Sequence, residues 1–118
     1  MRPRSDLDEL RDALRTFAAE RDWEQFHTPR NLATALIVEC AELLEHFQWL
    51  GDGPAARLPV DKQAAVREEL ADVLLYLVRL SDRLGVDLYA AALEKLEANA
   101  RKYPVEKARG RSTKYTEW

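Results

Sequence analysis

A chain of 118 residues, 33% charged and 47% hydrophobic, has the length for one compact domain and not for two ordinary ones. Its 21 acidic against 18 basic side chains leave a net charge of -3, so no global basic field draws it to nucleic acid or to an anionic membrane. One cysteine (Cys40) excludes an intrachain disulfide, and with only two histidines (His27, His46) a zinc site of Cys and His lacks ligands, which leaves oxygen as the donor to any metal.

In chain order, Ser5 is placed to cap a first helix running to about Arg21, with Asp8 as its capping-box partner and Leu7, Leu10, Leu14 and Phe17 on one face. Trp23-Glu24-Gln25-Phe26-His27 reads as a connector. Thr28-Pro29 supplies an N-cap and a first-turn proline for a second helix through Leu50, closed by Gly51. The stretch from Gly51 to Pro59 is the richest in turn residues. Asp61 opens a third helix to Leu84, stopped at Gly85, and Asp87 caps a fourth that ends before Tyr103-Pro104. The reading is all-α with four helices, one domain over residues 1–118. Residues 101–118 carry 6 basic and 2 acidic side chains, a locally basic tail at net +4 on a body at net -7. The longest apolar run, Val73 to Val78, is far short of the roughly 20 residues that span a bilayer. The N-terminus leads into a charged amphipathic stretch without the apolar region of a secretory signal, so a cytoplasmic protein is expected.

Two acid pairs break the helical periodicity. On helix two, Leu32, Leu36, Leu43, Phe47 and Leu50 form an apolar stripe, Glu39 falls in its middle and Glu42 on its flank. On helix three, Glu69 and Asp72 sit among Leu70, Val73, Leu74, Leu77 and Leu84. A carboxylate taken into a core must be protonated, ion-paired or bound to a cation. One such pair is ordinarily a solvated face with Arg or Lys partners. Two, separated by enough chain for the helices to lie side by side, favour a cation, and all-carboxylate donors select magnesium or manganese. A di-iron centre would add Glu-x-x-His pairs, which are absent because Glu45 and Asp72 hold those positions. Trp49 and Tyr76 each follow an acid pair by seven residues, about 10 Å along a helix. They suit a nucleobase whose phosphates are held on metal at the acids, with Trp23 as another wall, although Trp49 or Tyr76 taken alone reads more readily as an ordinary core aromatic. Lys95, Asn99 and Lys102 make a polar stripe on helix four that suits phosphate or sugar, or simply solvent. Cys40 and His46 read as packing residues.

With Glu39-x-x-Glu42 and Glu69-x-x-Asp72 identified, the sequence resembles the MazG-like all-α nucleoside triphosphate pyrophosphohydrolases. The likeness is to their dCTP pyrophosphatase branch in Phe17-Ala18-Ala19-Glu20-Arg21-Asp22-Trp23, Gln25-Phe26-His27, Pro29-Arg30-Asn31-Leu32, Phe47-Gln48-Trp49 and Glu68-Glu69-Leu70-Ala71-Asp72-Val73-Leu74, and it continues through Asn99, Tyr103-Pro104 and Lys114-Tyr115-Thr116-Glu117. The resemblance implies a four-helix MazG-like bundle assembled as a homodimer or homotetramer. It also implies hydrolysis of a nucleoside triphosphate, dCTP or a modified dCTP, to monophosphate and pyrophosphate. Magnesium, with manganese as a substitute, would sit on Glu39, Glu42, Glu69 and Asp72, and Trp23, Trp49, Tyr76, Lys95 and Asn99 would bind substrate. One departure stands out: where the branch has a histidine near the base, this chain has Leu14. Glu45 is a further candidate base, and Arg109, Arg111 and Lys114 of the tail are candidates to hold pyrophosphate. The competing readings are a non-catalytic helical partner-binding or oligomerisation module, and a pyrophosphohydrolase of another nucleotide conjugate.

Overall fold

The computed structural model describes residues 2–51 and 58–118, and among them every regular element is helical. Helix α1 spans Asp6–Glu20, α2 Pro29–Glu45, α3 Val60–Arg83, α4 Leu88–Lys102 and the short α5 Val105–Ala108. Single 3-10 turns cover Glu24–Phe26 and Tyr115–Glu117. The turn-rich stretch expected after Gly51 falls at residues 52–57, outside the described residues. No helix among the described residues is long and apolar enough to cross a membrane.

The expected caps are present. Ser5 and Asp8 close a capping box in which the Ser5 amide donates to Asp8 Oδ2 at 2.8 Å. Asp8 also accepts from Arg2 and Arg11, and the Arg2 guanidinium, before any other cause, holds its carboxyl well below the usual range. Thr28 Oγ1 accepts from the Asn31 amide at 3.2 Å with Pro29 in the first turn, and Asp87 Oδ1 accepts from the Ala90 amide at 3.1 Å. Gly85 takes φ +70 after α3, where a side chain would be strained.

Three features differ from the sequence reading. Helix α3 begins at Val60 after an N-cap at Pro59, so that Asp61 lies in its first turn and does not open it. The second helix ends at Glu45 rather than Leu50, and His46 to Trp49 continue as turns closed by Phe47 N–H to Leu44 O and Leu50 N–H to Phe47 O. The basic tail contains α5, which makes five α-helices among the described residues where four were expected.

The chain up to Val86 forms one compact unit and Asp87–Trp118 another. In the first, α3 packs on both α2 and α1. Its buried apolar residues are Ala18, Leu32, Val66 and Val78. Ile37, Val38 and Leu44 of α2 and Leu70, Leu74 and Leu77 of α3 remain exposed. In the second, Tyr103 makes edge-on contacts with Tyr115 and Trp118, at ring separations of 5.6 and 5.5 Å.

Candidate active site

The site is built in the first unit, beginning with the end of α1. Asp22 has φ +54, and its amide donates to Ala19 O while the Trp23 amide donates to Ala18 O at 2.9 Å. This paired closure reverses the chain and folds Trp23 back onto Phe17, edge-on at 5.7 Å. Aspartate tolerates the left-handed conformation better than most residues. Asp22→Val is therefore expected to cost about 1 kcal/mol, read as a lower thermal midpoint, whereas Asp22→Gly keeps or raises it. The connector is then tied to α2 by Asn31 Nδ2 donating to Phe26 O at 2.9 Å.

Trp23 becomes one wall of a cavity of about 260 Å³ whose lining also includes Leu14, Phe17, His27, Leu32, Asp72, Leu75, Tyr76 and Arg79. The volume and the aromatic rims suit a flat ring. Of the substrate residues expected from sequence, Trp23 and Tyr76 line this cavity. Trp49 does not: it is 89% exposed on the turns beyond Glu45, so the two-turn axial spacing from Glu42 has no helix to run along. Lys95 and Asn99 lie one turn apart on α4 in the second unit, both exposed.

Asp72 connects the cavity to the acids. The packing of α2 on α3 brings one carboxylate oxygen each from Glu39, Glu69 and Asp72 within 4.8 Å of one another. The Oε2 atoms of Glu39 and Glu69 are buried with no hydrogen-bond partner. Glu42 stands outside that trio, yet it acts on Glu39. The Glu39 carboxyl is pushed up to about 7, first by its hydrogen-bonding contact with Glu69, then by burial, then by Glu42. Carboxylates forced together with no ion pair to a cationic side chain among the described residues, and with orphaned buried oxygens, fit a hard divalent cation such as magnesium or manganese in donor chemistry.

The network behind the cavity was not anticipated. Arg79, only 4% exposed, donates from Nε to His27 Nδ1 at 3.0 Å, and its Nη1 lies 3.6 Å from Asp82. Asp82 is gripped in turn by Arg15 of α1, whose Nε donates at 2.7 Å, and that grip lowers the Asp82 carboxyl from its ordinary value. Arg83 Nε donates to the His27 carbonyl at 3.1 Å. Burial first, then Arg79 and Arg83, push the His27 imidazole below its ordinary value. The signal for Arg79 was available: it is a charge at the end of the apolar run Val73 to Val78, the same anomaly that marks Glu39.

An all-helical unit thus gathers three carboxylates from two packed helices beside a cavity with aromatic walls, a donor set that fits a hard divalent cation next to space for a flat ring. The comparisons specify it: the model of the MazG-like family matches residues 35–118, and the chain belongs to that family. It is 52% identical to dCTP pyrophosphatase 1 of Homo sapiens and 50% identical to that of Rattus norvegicus, each match covering 98% of this chain and 69% of the relative. Among solved structures it is similar to a pyrophosphatase from Archaeoglobus fulgidus, with a TM-score of 0.78 and 40% identity over 88% of this chain and 97% of the other.

Proposed function

We propose that this chain hydrolyses dCTP, or a dCTP modified on its base, to the monophosphate and pyrophosphate in a magnesium-dependent reaction that clears the nucleotide pool. The observation that carries the reading is the carboxylate trio of Glu39, Glu69 and Asp72, with Asp72 shared by an aromatic cavity sized for a base. That the chain is a nucleoside triphosphate pyrophosphohydrolase rests on its family and on half-identity to dCTP pyrophosphatases along nearly its whole length.

Glu39, Glu69 and Asp72, with Glu42 one turn along α2, would hold magnesium, or manganese in its place. When bound there, such an ion neutralises charge on the phosphates and acidifies water. Trp23 and Tyr76 enclose the base between aromatic surfaces, and the apolar walls exclude water from it. Water attacks phosphorus, the anhydride bond between the α and β phosphates breaks, pyrophosphate leaves, and the proton of the water passes to a carboxylate of the cluster. Lys95 and Asn99, and the basic tail with Arg109, Arg111 and Lys114, are assigned to phosphate and sugar, whereas Trp49, which does not line the cavity, is given no part in enclosing the base there. Residues 1–118 would then work as one domain. The exposed apolar faces of α2 and α3 support assembly with further copies, as a dimer or tetramer. The proposed setting is the cytoplasm.

The test is a panel of the four deoxynucleoside triphosphates and 5-methyl-dCTP, with pyrophosphate and orthophosphate measured separately. Pyrophosphate release from the cytosine nucleotides, dependent on magnesium and abolished by EDTA, is expected. Release of orthophosphate instead overturns cleavage between the α and β phosphates, and no product from any nucleotide overturns the reading in favour of a non-catalytic module. Pyrophosphate release indifferent to the base overturns the cytosine assignment alone.

A further inference from the structure

Arg79 is a buried cation with an incomplete set of partners. A guanidinium carries five N–H donors. Its Nε is committed to His27 and its Nη1 faces Asp82, while Nη2 is buried without a hydrogen-bond partner. Leaving a charged donor unsatisfied inside a protein costs more than leaving a neutral one. The Arg15–Asp82–Arg79–His27 chain, which spans α1, α3 and the connector, holds the group in place despite that cost. The orphaned nitrogen belongs to a residue that lines the aromatic cavity.

His27 carries the same message. Arginine Nε is always a donor, so Nδ1 of His27, which receives its hydrogen bond, is unprotonated. The imidazole is therefore neutral, with its proton on Nε2. Both residues belong to the cavity lining and carry N–H donors, as Trp23 does and as Tyr76 does through its hydroxyl, whereas Leu14, Leu32 and Leu75 bring only carbon.

We propose that Arg79, with the His27 tautomer it fixes, is the base-reading element of the cavity and selects rings that present two adjacent acceptors. Resting on the nucleotide reading above, this explains a cytosine preference: cytosine offers O2 and N3 as neighbouring acceptors. Uracil and thymine carry a hydrogen on N3, which would point a donor at a donor. A site built from buried donors rejects the mismatched ring because its own groups are then left unpaired. Arg79 is a specificity-determining residue, and Asp82 and Arg15 act through it as positioning residues.

The experiment uses the full chain. Calorimetric titration with dCMP and dUMP in EDTA isolates the base from the metal chemistry, and kcat/KM for dCTP and dUTP with magnesium follows. The wild type is expected to prefer the cytosine nucleotide by about tenfold or more in both measurements. Arg79→Met, which keeps an unbranched apolar stem but removes the guanidinium, is expected to reduce the preference to about twofold, with KM for dCTP rising far more than kcat falls. Arg79→Lys and His27→Gln, which retain donors, fall in between and carry the test if the methionine variant does not fold. A folded variant at Arg79 that keeps the wild-type discrimination overturns the proposal, as does a wild type that binds dCMP and dUMP equally. A wild type that selects dCMP in EDTA but turns over no triphosphate supports the role of Arg79 and overturns the hydrolase reading instead.

Discussion

Replacing Glu39 by glutamine is expected to lower magnesium-dependent pyrophosphate release by at least about a hundredfold, since even groups that only orient metal ligands are worth 10- to 100-fold. The same substitution is expected to raise the thermal midpoint of the metal-free protein. Both effects come from one geometric fact. Glu39, Glu69 and Asp72 bring carboxylate oxygens within 4.8 Å of one another, with Glu42 adding to the repulsion at Glu39. The amide removes a charge from that crowd while keeping the shape. The pH dependence distinguishes this cause from general damage. The Glu39 carboxyl moves from an ordinary 4.5 to about 7 on folding, so the folded state binds its proton more tightly than the unfolded chain. Its contribution is fully present below pH 4.5 and is lost as pH rises through about 7. In EDTA the midpoint of the wild type should therefore fall below that of Glu39→Gln across this window, and the two should converge toward pH 4.5. His27, whose imidazole is shifted the other way, contributes equally to both proteins. Added magnesium should raise the midpoint of the wild type at pH 8 and not that of the variant, because an ion that binds only the folded state stabilises it by mass action. Asp72→Asn should match the loss of turnover. Turnover within tenfold of the wild type, or a lower EDTA midpoint at pH 8, would show that these acids are solvated helix faces.

The carboxylates were legible because the signal that reveals them is periodic. A charge in an apolar stripe can be seen without coordinates, and two charged pairs on helices long enough to pack side by side imply their meeting. The caps at Ser5, Thr28 and Asp87 were legible for a similar reason, since each rests on a contact three residues away. The end of α2 was not. The apolar positions Phe47 and Leu50 continue the stripe beyond Glu45, and periodicity does not distinguish a helix from a sequence of turns that carries the same residues onward. The reversal at Asp22 was hidden because glycine, the usual marker of a left-handed position, is replaced by a residue that reads as a surface charge. The cavity was hidden in a different way. Its lining residues come from α1, the connector, α2 and α3, and only the packing of α3 against both other helices decides that Leu14 and Arg79 border the same space.

Leu32→Ala is expected to have the largest effect on stability, about 3 kcal/mol and a fall in thermal midpoint of about 10 °C or more. Among the described residues Leu32, 2% exposed, is the bulkiest fully buried side chain, and the other buried apolar residues described in its unit are Ala18, Val66 and Val78. A core this small offers few neighbours to collapse into the space left behind. The same side chain lines the cavity beside Trp23 and Tyr76, so the space created by truncation opens into the ligand site. The void can then be filled by solvent, and the wall that presses the base against the aromatic rings is lost. The expected kinetic result is a rise in KM for dCTP, with the carboxylate chemistry left in place once substrate saturates. Leu32→Met, which nearly conserves volume, should cost less than about 1.5 kcal/mol and retain most of the affinity. Magnesium with a nonhydrolysable dCTP analogue should restore part of the midpoint of Leu32→Ala, by about 2.7 kcal/mol at a hundredfold excess over Kd. Loss of stability with unchanged KM would separate the core from the cavity and show that Leu32 supports only the first. Loss of KM with unchanged stability would assign it only to the second, and the expectation is that the two fall together because one side chain closes both.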